Sequence, residues 1–150
     1  MTNKNTREIK NIFSFFIFQL SLLIGLSTGL FATLTHNADI VSDSLTELQW
    51  QDNETPARMN WESAIDYCEA LSLGGHTDWR LPNKKELLSI VDYSSYEPSI
   101  NTVFVHTISS NYWSSTTSAS YPNYAWLVDF KVGLTPGAPK SHSGHVRCVR

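Results

Sequence analysis

Residues able to do more than pack are few in this chain, and most lie late in it. There are two cysteines, Cys68 and Cys148, and five histidines, of which His142 and His145 stand close together. Two imidazoles are half of a metal site. No cysteine or further ligand at metal spacing completes the set, and neither His-x-x-Glu-His nor His-Glu-x-x-His occurs. Residues 39–150 contain no Gly-x-Ser-x-Gly elbow, and a cysteine held in a disulfide is no nucleophile. The sequence therefore predicts no catalytic residue, metal or cofactor, which sets aside an envelope enzyme or enzyme subunit. Binding chemistry remains. Tyr121 and Tyr124 flank Pro122-Asn123 and offer flat aromatic faces, while Lys131, Lys140 and His142 supply counter-charge for sulfate or carboxylate.

The first 38 residues decide the state of the cysteines. Lys4, Arg7 and Lys10 form a basic head, and from Ile12 to Leu34 there is no charged residue. Such a segment holds its positive flank in the cytoplasm and delivers the downstream chain across the membrane. Two outcomes stay open: a cleaved signal peptide, with Ser27 and Gly29 as small residues near a cut, or an uncleaved transmembrane anchor. Either way the domain, residues 39–150, is exported to the periplasm, cell surface or medium. In an oxidising compartment two lone cysteines pair, so Cys68–Cys148 is the expected disulfide.

Residues 39–150 hold 8 basic and 13 acidic side chains, a balance of −5 that argues against nucleic acid. The split is uneven. Residues 39–100 carry 4 basic and 12 acidic groups, whereas 101–150 carry Lys131, Lys140, Arg147 and Arg150 against Asp129 alone. An anionic ligand is therefore expected at the late loops, where Lys131 precedes the segment 132–142 and Lys140 lies near its end.

The elements that must position these groups are legible from periodicity. Leu48 and Trp50 alternate with Glu47, Gln49 and Gln51, predicting a half-buried strand over 45–51. Asn60 caps a helix with Trp61, Ala64, Ile65, Cys68 and Leu71 on one stripe, stopped by Gly74-Gly75. Asn83 with Glu86 three residues on predicts a capping box and a second helix through Leu87, Leu88, Ile90 and Val91. Short strands come next at 112–117, 124–131 and 145–150, with 133–139 a loop. In the middle strand Trp126, Val128 and Phe130 share a face expected to pack on the helices. Trp61, Trp79, Trp113 and Trp126 are expected in the core. Asp78, Arg80 and Arg147 are expected to form an ion pair joining the helix connection to the last strand.

Together, Asp43 to Gln51, Trp61 to Cys68, Gly75 to Leu87 with its Asp78-Trp79-Arg80-Leu81-Pro82, Tyr112-Trp113-Ser114-Ser115-Thr116 and Val146 to Arg150 resemble the Lcl C-terminal domain family. The resemblance implies an α+β, C-type-lectin-like fold, with two helices on small antiparallel sheets and the N- and C-terminal strands adjacent. It also implies bacterial secreted or surface proteins, among them a collagen-like adhesin that binds sulfated glycans. This chain has no Gly at every third position, so the trimeric stalk of that adhesin does not carry over. Glu97-Pro98-Ser99 resembles the Glu-Pro-Asn motif of C-type lectins, but its Trp-Asn-Asp partner is absent. Formylglycine-generating enzymes share an Arg-Leu-Pro-rich segment, yet require a cysteine pair near the C-terminus where this chain has one cysteine. The expected function is a non-enzymatic binding module for an anionic glycan, with a structural module for an envelope or surface protein as the alternative. The membrane is a further partner if the N-terminal segment is retained.

Overall fold

The structure is a computed structural model that describes residues 33–150; the basic head and residues 12–32 of the apolar segment lie outside the described residues. Within the described residues no helix is long and apolar enough to cross a membrane. The architecture is α+β, two helices with two small sheets. The first sheet joins β1 (Leu34–Asn37), β2 (Ile40–Asp43) and β3 (Gln49–Gln51) in that order. After β4 (Arg58–Met59) come α1 (Trp61–Glu69) and α2 (Lys84–Ser89). The chain continues through β5 (Asn111–Thr117), β6 (Tyr124–Asp129), β7 (Gly137–Pro139) and β8 (Gly144–His145). The second sheet has the order β4-β8-β5-β6-β7.

The β5–β6 hairpin is buried on both faces. Tyr112 pairs with Val128, and both belong to a cluster with Trp50, Leu87, Ile90 and Phe130. One residue along, Trp113 pairs with Leu127, and both belong to a second cluster with Ala64, Cys68 and Trp79. Because successive strand residues point to opposite faces, α2 covers one side and α1 the other. The expected aromatic face of β6 is thus only half of its packing, since Ala125 and Leu127 are as buried as Val128 and Phe130.

Both helix starts agree with the sequence. Asn60 accepts from Ser63 N, and Asn83 accepts from Lys85 N and Glu86 N while Glu86 reaches back to Asn83 N at 2.9 Å. Glu86 is held again by a two-pronged ion pair with Arg80, at 2.7 and 2.8 Å. That guanidinium, with the Asn83 backbone N–H as a smaller cause, keeps the Glu86 carboxyl below the usual carboxylate range against the opposing effect of its partial burial. Its contribution to stability is present above the ordinary glutamate value and lost as pH falls through the lowered one. Asn83→Ala removes the cap's side of this arrangement and is expected to cost about 1 kcal/mol in urea unfolding. A variant as stable as the parent would mean that Arg80 and Glu86 alone fix the helix start.

Several expectations are corrected. The strand foreseen over 45–51 begins only at Gln49, because the Asp43 carboxylate accepts from Leu45 N and Thr46 Oγ1 and folds 44–46 into a turn. The sheet instead gains β1 and β2, at residues 34–37 and 40–43. Gly74 and Gly75 do not stop α1, which ends at Glu69. They form a two-residue turn with φ of +63° and +79° between Leu73 and His76, whose backbones exchange both hydrogen bonds. The loop foreseen at 133–139 contains β7, an edge strand that pairs Gly137, Ala138 and Pro139 with Trp126, Ala125 and Tyr124; an edge position tolerates proline. The last strand shrinks to β8, which lies parallel to β5 at Tyr112, so the second sheet is mixed rather than antiparallel. From there the chain leaves the sheet and Val149 bridges both Trp50 and Arg80. The C-terminal segment thereby lies against β3 rather than against the first strand: Gln49 and Arg150 exchange backbone hydrogen bonds, and Gln51 N donates to Cys148 O.

Candidate binding surfaces

Cys68 and Cys148 form a disulfide that spans 80 residues, and among the described residues no cysteine is free. It ties α1 to the C-terminal segment inside the second core cluster. Asp78, Arg80 and Arg147 do not pair with one another. Asp78 binds Arg150 at 2.8 Å, Arg80 binds Glu86, and Arg147 binds Asp52 at 3.0 Å with both side chains fully buried. The helix connection reaches the last strand through Asp78–Arg150 and the Arg80/Val149 backbone bridge instead. The reason is direction: neighbouring residues of an extended chain face opposite ways, so Arg147 turns inward while Arg150 reaches the surface.

The buried pair organises the irregular segment before β5. The Asp52 carboxylate accepts from Val105 N at 2.8 Å, His106 N at 3.1 Å and Arg147 Nη1, and His36 Nε2 lies 3.2 Å away. Arg147 Nη2 donates to His106 O and Thr107 Oγ1, and its guanidinium sits 4.6 Å from the Phe104 ring centre. Burial pushes the Arg147 guanidinium below its ordinary value, opposed by Tyr112 and Asp52. Burial likewise pushes the Tyr112 phenol up. Asp52 was not among the foreseen residues. A fully buried arginine requires a carboxylate, but the sequence does not say which of the acidic residues supplies it.

The foreseen ligand residues are divided between two ends of the second sheet. At one end Tyr121 and Tyr124 lie with ring centres 5.7 Å apart, and Tyr121 is 64% exposed. Lys140 N donates to Asn123 O, Trp61 N donates to Lys140 O, and His142 N donates to Pro139 O. Tyr121, Tyr124, Lys140, His142 and Trp61 are therefore gathered where β6 begins and β7 ends. Lys140 Nζ stands 3.9 Å over the Trp61 ring, and Lys84 Nζ stands 4.2 Å over Trp126. Trp61 and Trp126 are thus half-buried rim residues, whereas Trp79 and Trp113 are core. A lysine over each ring explains the difference, since an indole face open to a cation need not leave water.

Lys131 is at the other end of β6, roughly 20 Å away by strand length. It binds Glu97 at 2.7 Å, which holds the Glu97 carboxyl below its usual range. The facing segment docks through Ser99, whose N donates to Phe130 O and whose Oγ donates to Lys131 O. Here an open groove of about 450 Å³ runs along Tyr96, Pro98, Ile100, Asn101, Thr102 and Phe104. Tyr93 packs on Gly133, where a Cβ would meet its ring at 2.8 Å. Among the described residues, five of the seven exposed large apolar side chains, Tyr93, Tyr96, Val105, Ile108 and Leu134, belong to this loop segment or to the turn after β6. The groove was not foreseen. Its signal in the sequence is the unpatterned stretch from Asp92 to Ser110, longer than a structural connection needs.

The Lcl C-terminal domain model matches residues 39–150. The chain belongs to the Lcl C-terminal domain family. Comparison with curated proteins finds no match. For this Lcl C-terminal domain the described residues offer no group of three or more His, Cys, Asp or Glu able to hold a metal ion. His142 and His145 illustrate why: His145 lies against Pro56 O and the Tyr112 ring, while His142 is exposed in the preceding turn.

Proposed function

We propose that this protein is an exported, non-enzymatic binding domain of C-type-lectin-like fold that takes an anionic, sulfated glycan at the Tyr121–Tyr124–Lys140 end of its sheet. Export is supported by the disulfide together with the basic and apolar N-terminal sequence. The lectin-like reading is supported by a C-terminal segment paired with β3 near the start of the domain, two helices and a long irregular segment held by a rigid scaffold. One observation carries the choice of ligand. Of the eight cations in residues 39–150, Arg80, Lys131, Arg147 and Arg150 bind carboxylates. Among the described residues Arg58, Lys84, Lys85 and Lys140 have no carboxylate within 4.0 Å, and Lys84 and Lys140 sit over aromatic rings. Arg58 pairs with His145 and donates to Ser143 O. An anion gains most from cations that no carboxylate already neutralises.

The test is titration of the full-length, oxidised protein with a sulfated polysaccharide at low salt. Lys140→Ala is expected to weaken binding about three- to tenfold, the loss of one charged contact, and Lys131→Ala to leave it unchanged. Binding should fall as salt rises. Equal binding by the parent and by Lys140→Ala, or none by either, would remove the anionic-glycan reading and favour a protein partner.

A further inference from the structure

Which residues the exported domain keeps at its front is decided by β1. The folded part reaches back to Thr33, whose N donates to Ser44 Oγ at 3.0 Å and whose carbonyl accepts from Ser44 N at 3.2 Å. Leu34, Thr35, His36 and Asn37 then pair with Asp43, Ser42, Val41 and Ile40. Two of them also support the core. Leu34 packs on the cluster that contains Val41 and Trp50, and His36 Nε2 lies 3.2 Å from the fully buried Asp52 carboxylate. A chain that began at Asp39 would lack β1, and the fully buried Val41 would then stand in an open edge strand.

Thr33 and Leu34, the last two residues of the uncharged run, therefore belong to the domain. Upstream, Ser27-Thr28-Gly29 interrupts the run and leaves Ile12 to Leu26, 15 residues, ahead of it. That is the length of a signal-peptide apolar region and falls short of the ~20 residues of a membrane-spanning helix. Ser27 and Gly29 have the small-x-small spacing after which a signal peptidase cuts. The other candidates fail on size or on structure. Leu30 is too large for the first position of Leu30-Phe31-Ala32, and a cut after His36-Asn37-Ala38 would remove β1.

We propose that the chain is processed at the Gly29–Leu30 bond, which leaves Leu30-Phe31-Ala32 ahead of Thr33 and keeps β1 whole. This rests on the export part of the reading above. A water molecule adds to the Gly29 carbonyl carbon as the C–N bond to Leu30 breaks, giving a carboxylate on Gly29 and a new α-amine on Leu30. The catalyst is a membrane-bound signal peptidase of the exporting cell.

The experiment is expression of the full-length chain in an exporting bacterial host, with N-terminal sequencing and intact-mass measurement of the cytoplasmic, envelope and medium fractions. The exported protein is expected to begin at Leu30. Gly29→Ala keeps a small residue and should be cut like the parent, whereas Gly29→Leu should lose the product that starts at Leu30. A chain lacking residues 33–38 should still be cut, and its product should unfold at lower urea than the parent's. An exported protein that keeps Ser27 to Gly29, one that begins at Thr33 or later, a Gly29→Leu chain still starting at Leu30, or a 33–38 deletion as stable as the parent would each overturn the proposal. An uncut chain confined to the cytoplasm would overturn the export reading as well, so the two failures are distinguishable.

Discussion

A chain in which Cys68 and Cys148 are both replaced by alanine is expected to lose about 4–5 kcal/mol of stability, comparable to the whole margin of a small domain. The disulfide closes a loop 80 residues long that runs from the end of α1 and contains α2 and all of the second sheet except β4. Cross-linking the ends of so long a loop removes much of the unfolded chain's freedom, and that is where most of the effect arises in the chain-entropy account. The folded side adds to it. Both sulfurs lie in a core cluster with Trp79, Trp113 and Leu127, so alanine also leaves unfilled volume. Without the bond, the last three residues are held by backbone pairing to Gln49, Gln51 and Arg80 and by the Asp78–Arg150 surface pair. Denaturant unfolding of the parent, the reduced parent and the double-alanine protein separates the two contributions. Two reactive thiols in the unreduced native protein, or a reduced form within about 1 kcal/mol of the oxidised one, would show that β pairing alone secures the C-terminus.

How much of this was legible depended on whether the determining interaction was local. The Asn60 and Asn83 caps lie within three residues of their partners, so both helix starts are readable from the sequence. The core positions of Trp79 and Trp113 follow from alternating apolar positions beside tight turns. What failed was non-local or depended on direction. The partners of Asp78, Arg80 and Arg147 are set by which way each side chain leaves an extended chain, and Arg147 meets Asp52 across 95 residues. Trp126 has the right alternation for a core residue, but it lies where β6 meets the edge strand, under Lys84. Lys131 and Lys140 are nine residues apart in sequence, yet β7 runs back along β6 and leaves one at each end. The binding residues could be chosen by type; their grouping required the hairpin.

Asp52→Ala is expected to destabilise the fold by about 3–5 kcal/mol and to loosen residues 104–108 in particular. Removing one member of a fully buried ion pair leaves the other charge uncompensated in a medium that solvates it poorly, and burial already disfavours the charged Arg147. Asp52 does more than balance that charge. Its two oxygens accept from Val105 N and His106 N, so alanine also strands two backbone donors. This separates it from an ion pair that apolar residues of similar volume can replace at little cost. A double Asp52→Leu, Arg147→Met protein would remove the charges and still leave both amides unpaired, so it is expected to recover only part of the loss. Asp52→Asn keeps an acceptor for the amides and should fall between the parent and Asp52→Ala in stability. Urea unfolding gives the global cost, and amide exchange at Val105 and His106 gives the local one. If those two amides exchange no faster in Asp52→Ala than in the parent, the carboxylate does not hold the segment. Phe104, and with it the floor of the groove, would then depend on its packing against Ile100 and Tyr112 alone.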